Sequence, residues 1–107
     1  MVEQRILNVG ELRIDALEQR VWVGQNEVRL PSCEFSLLVY LARQANKAVA
    51  VQKLAQVVYD LDIDYIKAKT LLQPLVFSLC SRIVYLAEHD CLENVWGVGY
   101  RLVSPEA

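Results

Sequence analysis

The chain has 107 residues, 54% of them hydrophobic and 22% charged, which suits one compact domain and excludes a disordered segment. Its net charge of −2 excludes a general cationic field for nucleic acid, so any such binding has to rest on a local patch. One histidine, His89, and three scattered cysteines, Cys33, Cys80 and Cys91, with no CxxC spacing, argue against a zinc centre and for reduced, unbridged thiols in a cytoplasmic protein.

The first 30 residues carry strand signals. "ILNV", "ELRID", "RVWV" and "EVRL" are short and rich in Val, Ile, Leu and Trp, and "GQNE" separates the last two as a turn. An antiparallel sheet of about four strands is expected. The period then changes. In "PSCEFSLLVYLARQAN", Phe35, Leu38, Val39 and Ala42 fall at i, i+3, i+4 and i+7 and predict a helix. In "VQKLAQVVYDL", Leu54, Val57, Val58 and Leu61 repeat that spacing and predict a second.

"YDLDIDYIKAK" reads as a polar connection. Its run of Asp60, Asp62 and Asp64 lacks the glycine and distal glutamate of a calcium loop. A third, longer helix is expected within roughly residues 70–88. Its start has two readings: a capping box of Thr70 and Gln73, or a start with Pro74 in the first turn. The segment from Leu71 to Ala87 is apolar, but Gln73, Pro74 and Arg82 interrupt it and it is shorter than a membrane span of ~20 residues. No basic stretch precedes an apolar core at the start, so no signal peptide is expected. "LENV" and "YRLV" then read as two strands around Gly97 and Gly99.

Strands, three helices and a hairpin in this order, ending in "VWGVGYRL", resemble the OmpR/PhoB-type winged helix-turn-helix domain of bacterial response regulators. Leu30, Glu34 and Phe35 in "LPSCEF" are similar to that family's strand end and first-helix start. Leu54 and Tyr59 in "KLAQVVYD" are similar to its second helix. The resemblance implies an α+β fold over residues 1–107: an N-terminal antiparallel sheet (1–30), a three-helix core (31–90) and a C-terminal β-hairpin wing (91–103). The wing turn would comprise Trp96, Gly97, Gly99 and Tyr100. Its glycines would permit positive φ and close backbone approach, while Trp96 and Tyr100 pack on the core. The family's domain normally follows a receiver domain.

In that family the third helix enters the major groove of DNA and usually carries several arginines. Here the residues depart from the pattern. At ~100° per residue, Leu72, Val76, Leu79 and Ile83 point to the core, and Phe77, Ser78, Ser81, Arg82 and Tyr85 point largely away. One of those five is charged. "CSRIVYLAE" is similar to the family's Ile-Ser-Arg-Leu-Arg-Lys-Lys-Leu-Glu, with Val84, Tyr85 and Leu86 where cations are usual; a register set by Val76, Leu79 and Ile83 puts Cys80 in place of an arginine. Pro31 and Ala50 stand where a capping Thr or Ser is usual.

Two functions remain. The first, implied by the resemblance, is the output domain of a transcriptional regulator that binds double-stranded DNA with weak to moderate, salt-sensitive affinity. Ser78, Ser81, Arg82 and Tyr85 would read bases, and Lys53, Lys67, Lys69 and Arg101 would hold phosphates. The second is a degenerate winged helix whose apolar outer face, through Phe77, Val84 and Tyr85, binds a protein partner or a second copy. A mean hydropathy of +0.22 leans the same way. An enzyme is not expected, because one histidine supports no Ser/His/Asp or Cys/His constellation and no glycine-rich loop opens a helix. No cofactor is expected.

Overall fold

The strand signals of the N-terminal segment become four strands, β1 (Ile6–Val9), β2 (Leu12–Asp15), β3 (Arg20–Val23) and β4 (Asn26–Val28). The structure is a computed structural model that describes residues 5–84 and 92–103. The four strands form one antiparallel sheet in the order β1-β2-β3-β4. Alternation sends Leu7, Val9, Leu12, Ile14, Val21 and Val23 to one buried face. The bend from β2 into β3 is built on the buried carboxylate of Asp15. Arg5 donates to both of its oxygens at 3.1 and 3.2 Å, and the amides of Leu17 and Glu18 donate to Oδ1 at 3.1 and 3.0 Å. The Arg5 hydrogen bond, helped by those amides, holds the Asp15 carboxyl below its usual range.

Helix α1 (Ser32–Arg43) lays its apolar side against this sheet, with Phe35, Leu37, Leu38, Val39, Leu41 and Ala42 buried. A two-residue strand, β5 (Val49–Ala50), leads into α2 (Val51–Tyr59). No side chain caps α1 or α2, and Pro31 and Ala50 hold the N-cap positions. The stripe expected for α2 is rotated: Val51, Leu54 and Ala55 are buried and Val58 packs against the core, while Val57 and Leu61 are exposed. For Leu61 the cause is the earlier end of the helix. Asp60 takes a left-handed conformation (φ 56°) and closes α2, so Leu61 lies beyond it.

Helix α3 (Tyr65–Val84) begins five residues before the expected range of 70–88 and ahead of both sequence-based starts. Asp64 caps it: its Oδ1 accepts the Lys67 amide at 2.9 Å, the N-cap to N3 bond that satisfies an orphan donor. The acidic run is thus no plain solvated connection, since Asp60 ends one helix and Asp64 starts the next. Pro74 lies inside α3. It removes the hydrogen bond to the Thr70 carbonyl, and both residues are exposed, so water can take that carbonyl. Leu72, Val76, Leu79 and Ile83 are buried as the spacing predicts.

Strands β6 (Leu92–Val95) and β7 (Gly99–Leu102) form the terminal hairpin. β7 lies between β6 and β5, giving a second sheet in the order β5-β7-β6. Among the described residues no helix is long and apolar enough to cross a membrane.

Candidate nucleic-acid interface

The hairpin is a wing. The turn Trp96–Val98 closes with the Val98 amide donating to Val95 O at 3.1 Å, and Gly97 supplies the left-handed residue (φ 75°). Gly99 has a different task. A Cβ there would lie 2.0 Å from Val49 O and 2.9 Å from Val51 N, so only glycine lets β7 approach β5. The Val51 amide, the first of α2, donates to Val98 O at 3.1 Å. The wing is therefore tied to the start of α2 by main-chain bonds.

Tyr100 is buried, and burial, followed by the proximity of Cys80 and Tyr65, pushes its phenol above the usual range. Trp96 corrects the expectation of core packing: it is 86% exposed at the wing tip. Its ring faces Lys69, with Nζ 5.7 Å from the ring centroid, and the same ammonium lies 6.0 Å from the Tyr65 ring. Between the wing and α3 is a hollow of about 220 Å³, lined by Tyr65, Lys69, Gln73, Asn94, Trp96 and Tyr100 among others.

The two helices are locally cationic, although the segment that joins them carries Asp60, Asp62 and Asp64. α2 and α3 hold Lys53, Lys67, Lys69 and Arg82 and no carboxylate, in a chain whose net charge is −2. Lys53 and Lys67 are exposed, and Lys69 is half-buried beside Trp96. Arg101 sits on β7 opposite Glu93 on β6, and its Nη2 donates to the Glu93 carboxylate. Its Nε is buried without a hydrogen-bond partner.

The proposed base readers have other partners. Glu34, in the first turn of α1, is buried, and its two oxygens accept from Ser78 Oγ and from Arg82 Nε, each at 3.0 Å. Ser81 Oγ donates to Phe77 O at 3.0 Å. Ser78 and Arg82 thus fasten α3 to α1, an arrangement that satisfies a desolvated carboxylate. Spacing alone did not disclose it, because the partners are more than forty residues apart in sequence. Tyr85, and the side chain of Val84, lie outside the described residues. The exposed side of α3 instead carries Ile66 and Phe77, 69% and 76% exposed.

Cys33 and Cys80 form no disulfide, and Cys91 and His89 lie outside the described residues. Among the described residues no group of His, Cys, Asp and Glu could hold a metal ion.

Two helices packed as a helix-turn-helix, a hairpin bonded to the first of them, and an N-terminal sheet behind α1 define a winged helix-turn-helix domain. The chain belongs to the family described as transcriptional regulatory protein, C terminal, whose model matches residues 24–102. It is similar to the transcriptional regulatory protein SrrA of Staphylococcus aureus, 32% identical over 98 residues, and to TcrA of Mycobacterium tuberculosis, 31% identical over 96. Those matches cover 90% of this chain but only 40% and 37% of the two relatives. The RstA DNA-binding domain of Klebsiella pneumoniae, solved in complex with RstA box, superimposes with a TM-score of 0.82, covering 94% of this chain and 99% of that one. At 18% identity that likeness shows the fold alone.

Proposed function

We propose that this chain is the DNA-binding output domain of a two-component response regulator, working in the cytoplasm as one unit made of a sheet (1–30), a helical core (31–90) and a wing (91–103). The observation that carries the reading is the placement of cations. Lys53, Lys67, Lys69 and Arg82 lie on the two helices of the helix-turn-helix, and Arg101 lies in the wing, while the remainder of the chain is acidic overall. α3 enters the major groove, and the wing lies against the adjacent backbone. Lys53, Lys67, Lys69 and Arg101 meet phosphates. Ser78 and Arg82 hold α3 at its angle to α1, and the Arg82 guanidinium, half-exposed, has further N–H groups to offer a phosphate or a base edge. Ser81 and Tyr85 remain base-reading candidates. Nothing in the family's role calls for catalysis.

Binding to duplex DNA across a salt series tests this. With roughly three to five phosphate contacts, log K should fall against log salt with a slope between about −3 and −4.5. A salt-independent affinity, or none, refutes it. The exposure of Ile66 and Phe77 favours a second reading, in which this face of α3 binds a protein partner or a second copy. Sedimentation of the chain at high concentration separates the two, since a strict monomer that binds duplex DNA leaves the first alone.

A further inference from the structure

The outer side of α3 has an unusual chemistry for a helix that enters a groove. Ile66, Thr70, Gln73, Pro74, Phe77 and Ser81 are all exposed and follow one another along it. The spacings of three and four residues keep them on one strip. Hydroxyl protons near that strip are engaged inside the protein: Thr70 donates to Ile66 O at 2.9 Å, Ser81 to Phe77 O and Ser78 to Glu34. Arg82, the only arginine of α3, has its Nε on Glu34. What the strip offers is hydrocarbon from Ile66, Thr70, Pro74 and Phe77, and one amide, Gln73.

Base edges in the major groove differ in what they ask for. Guanine presents two acceptors and is met by Arg or Lys. Adenine presents an acceptor and a donor and is met by the Gln or Asn amide. Thymine carries the C5-methyl group, which is met by apolar side chains. On these residues we infer that α3 reads A·T pairs, with Gln73 pairing to adenine and Phe77 and Ile66 seated on thymine methyl groups, and that guanine contributes little under this helix. The inference rests on the DNA-binding reading above. The lysines beside the strip, Lys67 and Lys69, meet the phosphates that frame the groove, which is the charge complementarity that selects DNA over an apolar protein surface.

The test uses the 107-residue chain. Duplexes are selected from a random pool, and the winning duplex is compared with a copy in which deoxyuridine replaces thymidine. That change deletes methyl groups and leaves every base pair and phosphate in place. Each contacted methyl should be worth about fourfold in affinity. Phe77→Ala should remove the preference for thymidine over deoxyuridine at one position, so that the methyl there adds about fourfold to the affinity of the wild type and nothing to that of the variant. Phe77 is exposed, so the fold should survive, with circular dichroism as the control. Equal affinity for both duplexes, with guanine selected under α3, overturns the methyl reading and leaves DNA binding standing. Self-association that Phe77→Ala abolishes, together with no methyl effect, assigns the strip to a second copy and overturns it too. If the pool yields no enriched duplex and binding lacks salt dependence, DNA binding itself fails, and this inference fails with it.

Discussion

Replacing Gly99 with alanine should damage the domain more than the same change at Gly97, although only Gly97 has a positive φ. At Gly97 the new methyl meets nothing within 4 Å, so the cost is the left-handed backbone alone, about 1–2 kcal/mol. At Gly99 the Cβ would sit 2.0 Å from Val49 O and 2.9 Å from Val51 N. Neither atom belongs to a flexible side chain, so β5 and β7 have to part. Overpacking of this kind costs about 1–3 kcal/mol, and weakening the bond from Val51 N to Val98 O adds about 1 kcal/mol more. A total near 3 kcal/mol is a large share of the 5–15 kcal/mol typical of such a domain and lowers the melting temperature by on the order of 15 °C. Urea titration of the wild type and both variants measures the global effect. Amide exchange at Val51 reports whether the wing has detached locally. A Gly99→Ala protein as stable as Gly97→Ala, with the Val51 amide still protected, refutes the close-approach reasoning.

Glu34→Ala should release Ser78 and Arg82 from α1 and cost about 2 kcal/mol through two lost charge-assisted hydrogen bonds, offset by removal of a buried carboxylate; urea titration checks it. Glu93→Gln should free Arg101 for a phosphate and raise DNA affinity about threefold, the worth of an exposed ion pair, whereas Arg101→Ala should lower binding to all sequences alike and flatten the salt slope by about one. The Asp15 carboxyl titrates below its unfolded value, so its contribution is complete above the unfolded pKa and lost as pH falls through the lower, folded one. Asp15→Asn should therefore be less stable than wild type at neutral pH and lose less stability on acidification over that window. Tyr100 has the opposite sign: its raised pKa means its contribution is lost as pH rises past the unfolded phenol value, seen as alkaline unfolding by fluorescence that Tyr100→Phe delays. Thiol titration of denatured protein, with and without reductant, should count the same number of free thiols, since Cys33 and Cys80 are unbridged.

Much of the fold was legible because it depends on local periodicity. The buried set Leu72, Val76, Leu79 and Ile83 follows directly from 3.6-residue spacing, and the strands of the first sheet follow from short β-rich runs between turns. The start of α3 was not legible. Pro74 looked like a beginning, whereas the real signal, Asp64 three residues before Lys67, was hidden in a run of acids that resembles solvated loop. β5 is two residues long, and a pairing with β7 some fifty residues away has no local signature. Trp96 was misplaced because a tryptophan usually lies inside, and only the turn geometry shows that this one cannot reach the core. For the site, charge gave the phosphate candidates from sequence, but the state of each donor could not be read. Whether a serine proton or a guanidinium is available depends on Glu34, which lies on another helix.

Val51 is at once the first residue of α2 and the partner of Val98, so a main-chain bond ties the wing to the start of the helix-turn-helix. On the DNA-binding reading, two grips joined in this way would meet a duplex already aligned with each other. The entropy of aligning the second grip with the first is met when the chain folds and not again when DNA arrives, so a modest number of weak contacts can act together. For a surface with few cations, that shared alignment is what makes each of them count.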